Sequence, residues 1–228
     1  MKPTILAIET ATHACSAALI HQGQLFSRFQ LAPKEHTHLI FKMIEELLQE
    51  AFIALKDLTA LAVGQGPGSF TGVRIAMSVA QGLAFGLNLP IYPISTLAAL
   101  AKQARENYPN ATVISLLDAR MEQVYAGFFE ANQMFGEEIL CHPAELMDAL
   151  SGIGAEKIIA IGSGWDVYAH DILAKNPLLQ IQHLPGCYPH AKDIGLLALA
   201  EMEQRKEGVA AVDVQPVYLR DKVAEKQI

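Results

Sequence analysis

Three strands follow one another directly at the start of the chain, and this opening narrows the choice of fold most. Thr4–Ile8 reads as a buried strand, Cys15–Ile20 as a second, and Leu25–Leu31 as a third, with Gln22-Gly23 as a tight turn. Strands joined by such short turns form an antiparallel meander. A dinucleotide-binding unit instead opens strand–helix–strand. A helix is predicted next, over Thr37 to Phe52. Its apolar residues Leu39, Ile40, Met43, Ile44, Leu47, Leu48, Ala51 and Phe52 recur on one helical face, opposite Lys42, Glu45, Glu46, Gln49 and Glu50. Leu58–Val63 is a strand, Gly64–Phe70 a glycine-rich loop, and Gly72–Gly86 a second helix stopped by Asn88 and Pro90. A short strand (Ile91–Ile94) and a helix (Thr96–Asn107, opened by Ser95) complete the first half.

Tyr108-Pro109-Asn110 reads as a boundary, because the strand pattern restarts after it. Thr112–Leu117 and Gln123–Glu130 are strands, and a weaker one precedes Cys141. A short helix is predicted at Pro143–Leu150, a strand at Ile158–Ile161, helices at Asp166–Ala174 and Ala191–Gln204, then a tail. The expected fold is α/β: two lobes of the βββαβα type, the second partly degenerate, which is the layout of the actin-like ATPase (ASKHA) fold. The lobes are set at residues 1–108 and 109–228, with the final helix, about 191–204, as a candidate to pack back on the first lobe.

The chain is 51% hydrophobic and 18% charged, against about 25% charged in an average chain. That leaves apolar material for a filled core, or for a core and an interface. The net charge is −7 and no run of Lys or Arg stands out, so a strong grip on RNA by this chain alone is not expected. Cys15, Cys141 and Cys187 have no metal spacing and are odd in number, which fits a reducing compartment. The chain runs from its first residues into a strand, and no uninterrupted apolar run reaches the roughly 18 residues of a membrane span. The expectation is a cytoplasmic protein without a membrane partner.

Gly64-Gln65-Gly66-Pro67-Gly68-Ser69-Phe70-Thr71-Gly72 joins a strand to a helix N-terminus, where free N–H groups can receive an anion. It lacks the Gly-Lys-Ser/Thr of a P-loop and does not fit G-x-G-x-x-G. The competing reading is a tight turn capped by Ser69 or Thr71. The helix behind it carries two rows of small residues: Gly72, Ala76, Ala80, Ala84 and Ser78, Gly82, Gly86. A helix apolar all round is buried all round, and small residues admit another helix closely. Candidate interface residues are Leu39, Ile40, Met43, Ile44 and Leu47 on the first helix. On the second they are Gly72, Val73, Ala76, Met77, Ala80, Leu83 and Ala84. Glu9 and Thr10 end the first strand, and Asp118 and Arg120 end its counterpart. With Ser69 and Arg74 they are candidate contacts for a nucleotide or a partner; each also reads as a strand end, cap or hairpin salt bridge. The eight histidines form no H-x-x-x-H pair, and no metal site or hydrolase triad is expected.

The run Gly64 to Arg74 closely resembles the signature of the bacterial TsaB family, also called YeaZ. The resemblance continues through Ala80-Gln81-Gly82-Leu83-Ala84, Ile94-Ser95-Thr96-Leu97, Asp118-Ala119-Arg120-Met121, Val124-Tyr125, Gly162-Ser163-Gly164-Trp165 and Pro216-Val217-Tyr218-Leu219-Arg220. It implies a role in making threonylcarbamoyladenosine beside the tRNA anticodon. It implies a non-catalytic subunit that pairs, through its first two helices, with a metal-bearing catalytic relative, TsaD, joined by a small ATPase, TsaE. ATP and a metal are then expected in those partners and no cofactor in this chain, with tRNA reached only through the complex and a homodimer when alone. The His pair and first-hairpin glycine of the catalytic relative are missing here. The alternative is an independent nucleotide-binding enzyme, a small kinase or ATPase of the same fold.

Overall fold

Strand β1 (Ile5–Glu9) is the centre of a five-stranded sheet, flanked by β2 (Ala14–His21) on one side and β4 (Ala60–Gly64) on the other. The computed structural model describes residues 2–130, 133–134, 136–146, 157–174 and 180–220. The order is β3-β2-β1-β4-β5, with β3 spanning Gln24–Leu31 and β5 Ile91–Ile94. β3, β2 and β1 pair antiparallel, while β1, β4 and β5 run parallel. All five residues of β1 and of β4 are buried. Covered on both faces, these strands read as continuous apolar runs rather than alternating ones.

The second sheet repeats this plan. Its order is β11-β10-β6-β7-β8, with β9 also pairing with β7. These strands are β6 (Thr112–Arg120), β7 (Gln123–Glu130), β8 (Gln133–Met134), β9 (Ile139–Cys141), β10 (Ile158–Ile161) and β11 (Ile181–Leu184). β6 is antiparallel to β7 and parallel to β10, as β1 is to β2 and β4. The strand β11 is absent from the sequence reading. Four residues with Gln182 and His183 in the middle carry little strand signal, and the pairing with β10 supplies the rest. Residues 147–150 of the expected helix at Pro143–Leu150 lie outside the described residues.

Helices α1 (His36–Glu50) and α2 (Phe70–Leu87) cover one face of the first sheet. α1 stops at Glu50; Phe52, read as part of its apolar face, has a left-handed φ of 56° and is 96% exposed. α3 (Thr96–Arg105) and α5 (Ala191–Glu203) lie between the sheets and are exchanged. α3 follows the first sheet but packs its Leu97, Leu100, Ala101 and Ala104 on Val113, Leu117, Ile159 and Ile161 of the second. α5 follows the second sheet but packs Ala191, Ile194 and Ala198 on Ile5, Ala7, Ala18 and Ala60 of the first. The alanines on that sheet face let α5 approach, and Gly195 comes down over Ala7 and Ile20. Helix α4 (Ser163–Ala174) covers the second sheet, with Trp165 fully buried and its indole N–H donating to the Ile114 carbonyl at 3.1 Å.

By length and composition α2 could cross a membrane. Its Val73, Ala76, Met77, Ala80 and Ala84 are instead packed into the core against the first sheet.

Candidate functional site

The glycine loop between β4 and α2 is filled by the protein itself. Each glycine clears a specific neighbour. A Cβ on Gly64 would sit 2.0 Å from Glu9 Oε2, and one on Gly68 would sit 2.6 Å from the Ala11 carbonyl. On Gly72 it would sit 2.1 Å from the Thr10 carbonyl. Gly66 has a φ of 96°, a region that favours glycine, and precedes a cis Pro67. Three N–H groups of the segment are engaged within the chain. Ser69 N–H donates to the Ala11 carbonyl at 2.7 Å and Gln65 N–H to the Ile94 carbonyl at 2.9 Å. Gly72 N–H donates to Ser69 Oγ at 3.4 Å, so Ser69 is the cap of α2. The loop is thus a tight strand-to-helix turn capped by Ser69, packed against the β1–β2 turn at Thr10 and Ala11.

Glu9 and Thr10 are sealed inside, 1% and 0% exposed, and present no surface to a ligand. The Glu9 carboxyl accepts from Ala11 N–H and, at 3.0 Å, from the Thr96 hydroxyl at the start of α3. Burial pushes its pKa up to about 7, against the lowering effect of those hydrogen bonds. Thr10 donates to the Gly72 carbonyl at 2.7 Å. Asp118 is exposed. Its Oδ1 accepts from Arg120 N–H at 2.8 Å and from the Tyr168 hydroxyl at 3.3 Å. Its own N–H donates to Ser163 Oγ at 3.1 Å. Asp118 and Arg120 thus meet through the backbone of a hairpin, the Arg120 N–H donating to the Asp118 carboxylate. Arg74 lies on α2, its guanidinium 3.7 Å above the Phe70 ring and its Nε donating to the Tyr218 hydroxyl at 2.8 Å. Among the described residues no group of three or more His, Cys, Asp or Glu is placed to hold a metal ion.

The two rows of small residues on α2 face different ways. Gly72, Ala76, Ala80 and Ala84, with Val73 and Met77, turn into the chain's own core, as do Ile40, Met43, Ile44 and Leu47 of α1. They are the support of the helix pair rather than its outer surface; Leu39 and Leu83 are half-buried at the margin. The other row, Ser78, Gly82 and Gly86, is open, and a Cβ on Gly82 or Gly86 would meet nothing within 4 Å. Phe85 beside it is 77% exposed and Phe41 on α1 is 55% exposed. Sequence reasoning missed both phenylalanines. Phe41 falls off the apolar stripe of α1, and that misfit was the available signal. Glycines at exposed positions cost a helix about 1 kcal/mol each relative to alanine. A bare, weakened, apolar helix face is a surface that close approach of another helix would complete.

A family model described as "TsaD: tRNA N6-adenosine threonylcarbamoyltransferase" matches residues 29–228. The chain is 36% identical to the "tRNA threonylcarbamoyladenosine biosynthesis protein TsaB" of Haemophilus influenzae, over 99% of this chain and 97% of that protein. It is 38% identical to the protein of the same name from Escherichia coli, over 98% and 97%. The chain belongs to the TsaB (YeaZ) family. The solved structure "YeaZ from Pseudomonas aeruginosa" superposes with a TM-score of 0.82 at 36% identity, covering 95% of this chain and 100% of that one. A ROK hexokinase from Thermus thermophilus, at 10% identity and a TM-score of 0.53, shares the fold alone: the α/β actin-like plan.

Proposed function

We propose that this TsaB-family chain is a non-catalytic partner subunit in the synthesis of threonylcarbamoyladenosine in tRNA. It binds and supports a TsaD-type catalytic subunit through the open face of α1 and α2, and a TsaE-type ATPase joins them. ATP and the metal belong to those partners, tRNA is reached through the complex, and the setting is the cytoplasm. Alone, the same face closes a homodimer. The observation that carries this reading is the uncovered row Ser78, Gly82, Gly86 beside Phe41 and Phe85. The names of the relatives and the transferase family model support the pathway. A glycine loop packed closely on the β1–β2 turn, with Glu9 and Thr10 buried beneath it, supports the non-catalytic reading. A helix pair against a helix pair buries about 1,600 Å² in a standard interface.

The alternative, an independent small kinase or ATPase, is favoured by exposed Asp118 beside Ser163 and Tyr168 at the end of β6. Calorimetry of the isolated chain with ATP and magnesium separates the two. The partner reading expects no binding and no turnover, with the catalytic relative co-purifying. Micromolar binding with turnover overturns it.

A further inference from the structure

The segment after α5 crosses the molecule in a course that the sequence does not announce. Tyr92 hydroxyl donates to the Lys206 carbonyl at 3.3 Å, and Val209 pairs antiparallel with Ile91 at the edge of the first sheet. The Gln81 amide of α2 donates to the carbonyls of Ala211 and Val214 at 3.1 and 3.3 Å, and Val214 is buried in the core. Val217 N–H donates to the Gln65 carbonyl of the glycine loop at 2.8 Å. Tyr218 accepts from Arg74, and its ring lies 5.5 Å from that of Phe70. Two residues later Arg220 has reached the second lobe. Its Nη2 donates to the Ala119 carbonyl at 3.0 Å, the Arg120 carbonyl at 3.4 Å and Gln123 Oε1 at 2.8 Å.

Those contacts fall on a strained turn. Arg120, Met121 and Glu122, which join β6 to β7, have φ values of 59°, 53° and 56°. A left-handed residue other than glycine is strained, and such strain persists only where the surroundings hold it. The rest of the hold comes from Asp118, which accepts from Arg120 N–H at 2.8 Å, and from His142, whose Nδ1 lies 3.0 Å from the Glu122 carbonyl. All three of those acceptors meet Nη2, and Nη1 lies 3.0 Å from Met121 Sδ, so one guanidinium touches the turn from Ala119 to Gln123.

We propose that residues 206–220 are a clasp that ties the amino-terminal end of α2 to the β6–β7 turn and holds that turn in its left-handed form. Tyr218 is 41% exposed and Phe70 40%, so a partner covering that end of α2 also touches the clasp. Hydrogen exchange on the full chain tests it, comparing wild type with Arg220→Ala, Arg220→Lys and Arg74→Ala. The clasp predicts that Arg220→Ala speeds exchange at residues 118–124 about tenfold while β1 and β4 stay protected. Arg220→Lys falls between. Arg74→Ala, on a different element, speeds the same turn by a smaller factor because it frees Tyr218. Unchanged exchange at 118–124 in Arg220→Ala overturns the proposal. So does a turn that responds to Arg220→Ala and ignores Arg74→Ala. Should Arg220→Ala fail to fold, Arg220→Lys and Tyr218→Phe give the same two readings.

Discussion

Two acids close the central strands of the two lobes and live in opposite surroundings. Glu9 ends β1 under Gly64, roofed by Thr96 and the Ala11 amide, and is 1% exposed. Asp118 lies near the end of β6, which runs on past its own glycine, Gly162, and stands exposed in the hairpin. The glycines differ in the same way. Gly64 leaves room for a side chain, whereas Gly162, with a φ of 102°, lets the Leu116 carbonyl approach to 2.3 Å from where a Cβ would be. One topology thus gives a plugged strand end in the first lobe and an open one in the second. In the first lobe the exposed surface lies instead on the outer face of α1 and α2, at Phe41, Ser78, Gly82, Phe85 and Gly86.

The largest effect that would break this contrast comes from the glycines. Gly64→Ala and Gly162→Ala should each destabilise the fold by about 3 kcal/mol or more in denaturant titration, since both force atoms into filled space. Adding Glu9→Ala should recover much of the Gly64→Ala loss, because that clash is with a side chain. No side-chain change should recover Gly162→Ala, whose clash is with backbone. Equal rescue in both lobes would undo the distinction.

The next effect is in pH. Glu9 has a folded pKa of about 7 against an ordinary 4.5, so the folded form holds its proton longer than the unfolded chain. Stability from Glu9 is full below about pH 4.5 and is lost as pH rises to about 7, a change on the order of 3 kcal/mol. Asp193, buried and with neither carboxylate oxygen hydrogen-bonded, is raised to about 7 by burial and acts in the same direction. Glu9→Gln should flatten its share of that slope in thermal melts between pH 4.5 and 7; an unchanged slope would contradict the sealed site. The smallest effect belongs to the second lobe: Asp118→Asn should move stability by less than about 1 kcal/mol, as an exposed group does.

The succession of elements along the chain was legible because alternation and buried runs mark β1 to β7, and the family signature ran through the glycine loop. Both small rows on α2 were legible too, but not which one faces inward. That depends on the rotation of the helix about its axis, and the sequence makes both rows small. Ala76 and Ala80, interface candidates by sequence, are buried against the sheet, while Gly82 and Gly86 lie on the open face. The exchange of α3 and α5 between lobes was not readable either, since each helix has a plain amphipathic pattern that fits any apolar sheet. The clasp escaped notice because Tyr218 and Arg220 act through contacts more than 90 residues distant in sequence.

The central claim is that the open row on α2 is the docking face for the catalytic relative. Gly82→Arg tests it directly, since a side chain there meets nothing within the chain and should leave folding intact. Titration of the catalytic relative with wild type and Gly82→Arg, at matched melting temperature, should show a loss of affinity of about 100-fold or more. Binding within about threefold of wild type would place the partner elsewhere and contradict the account.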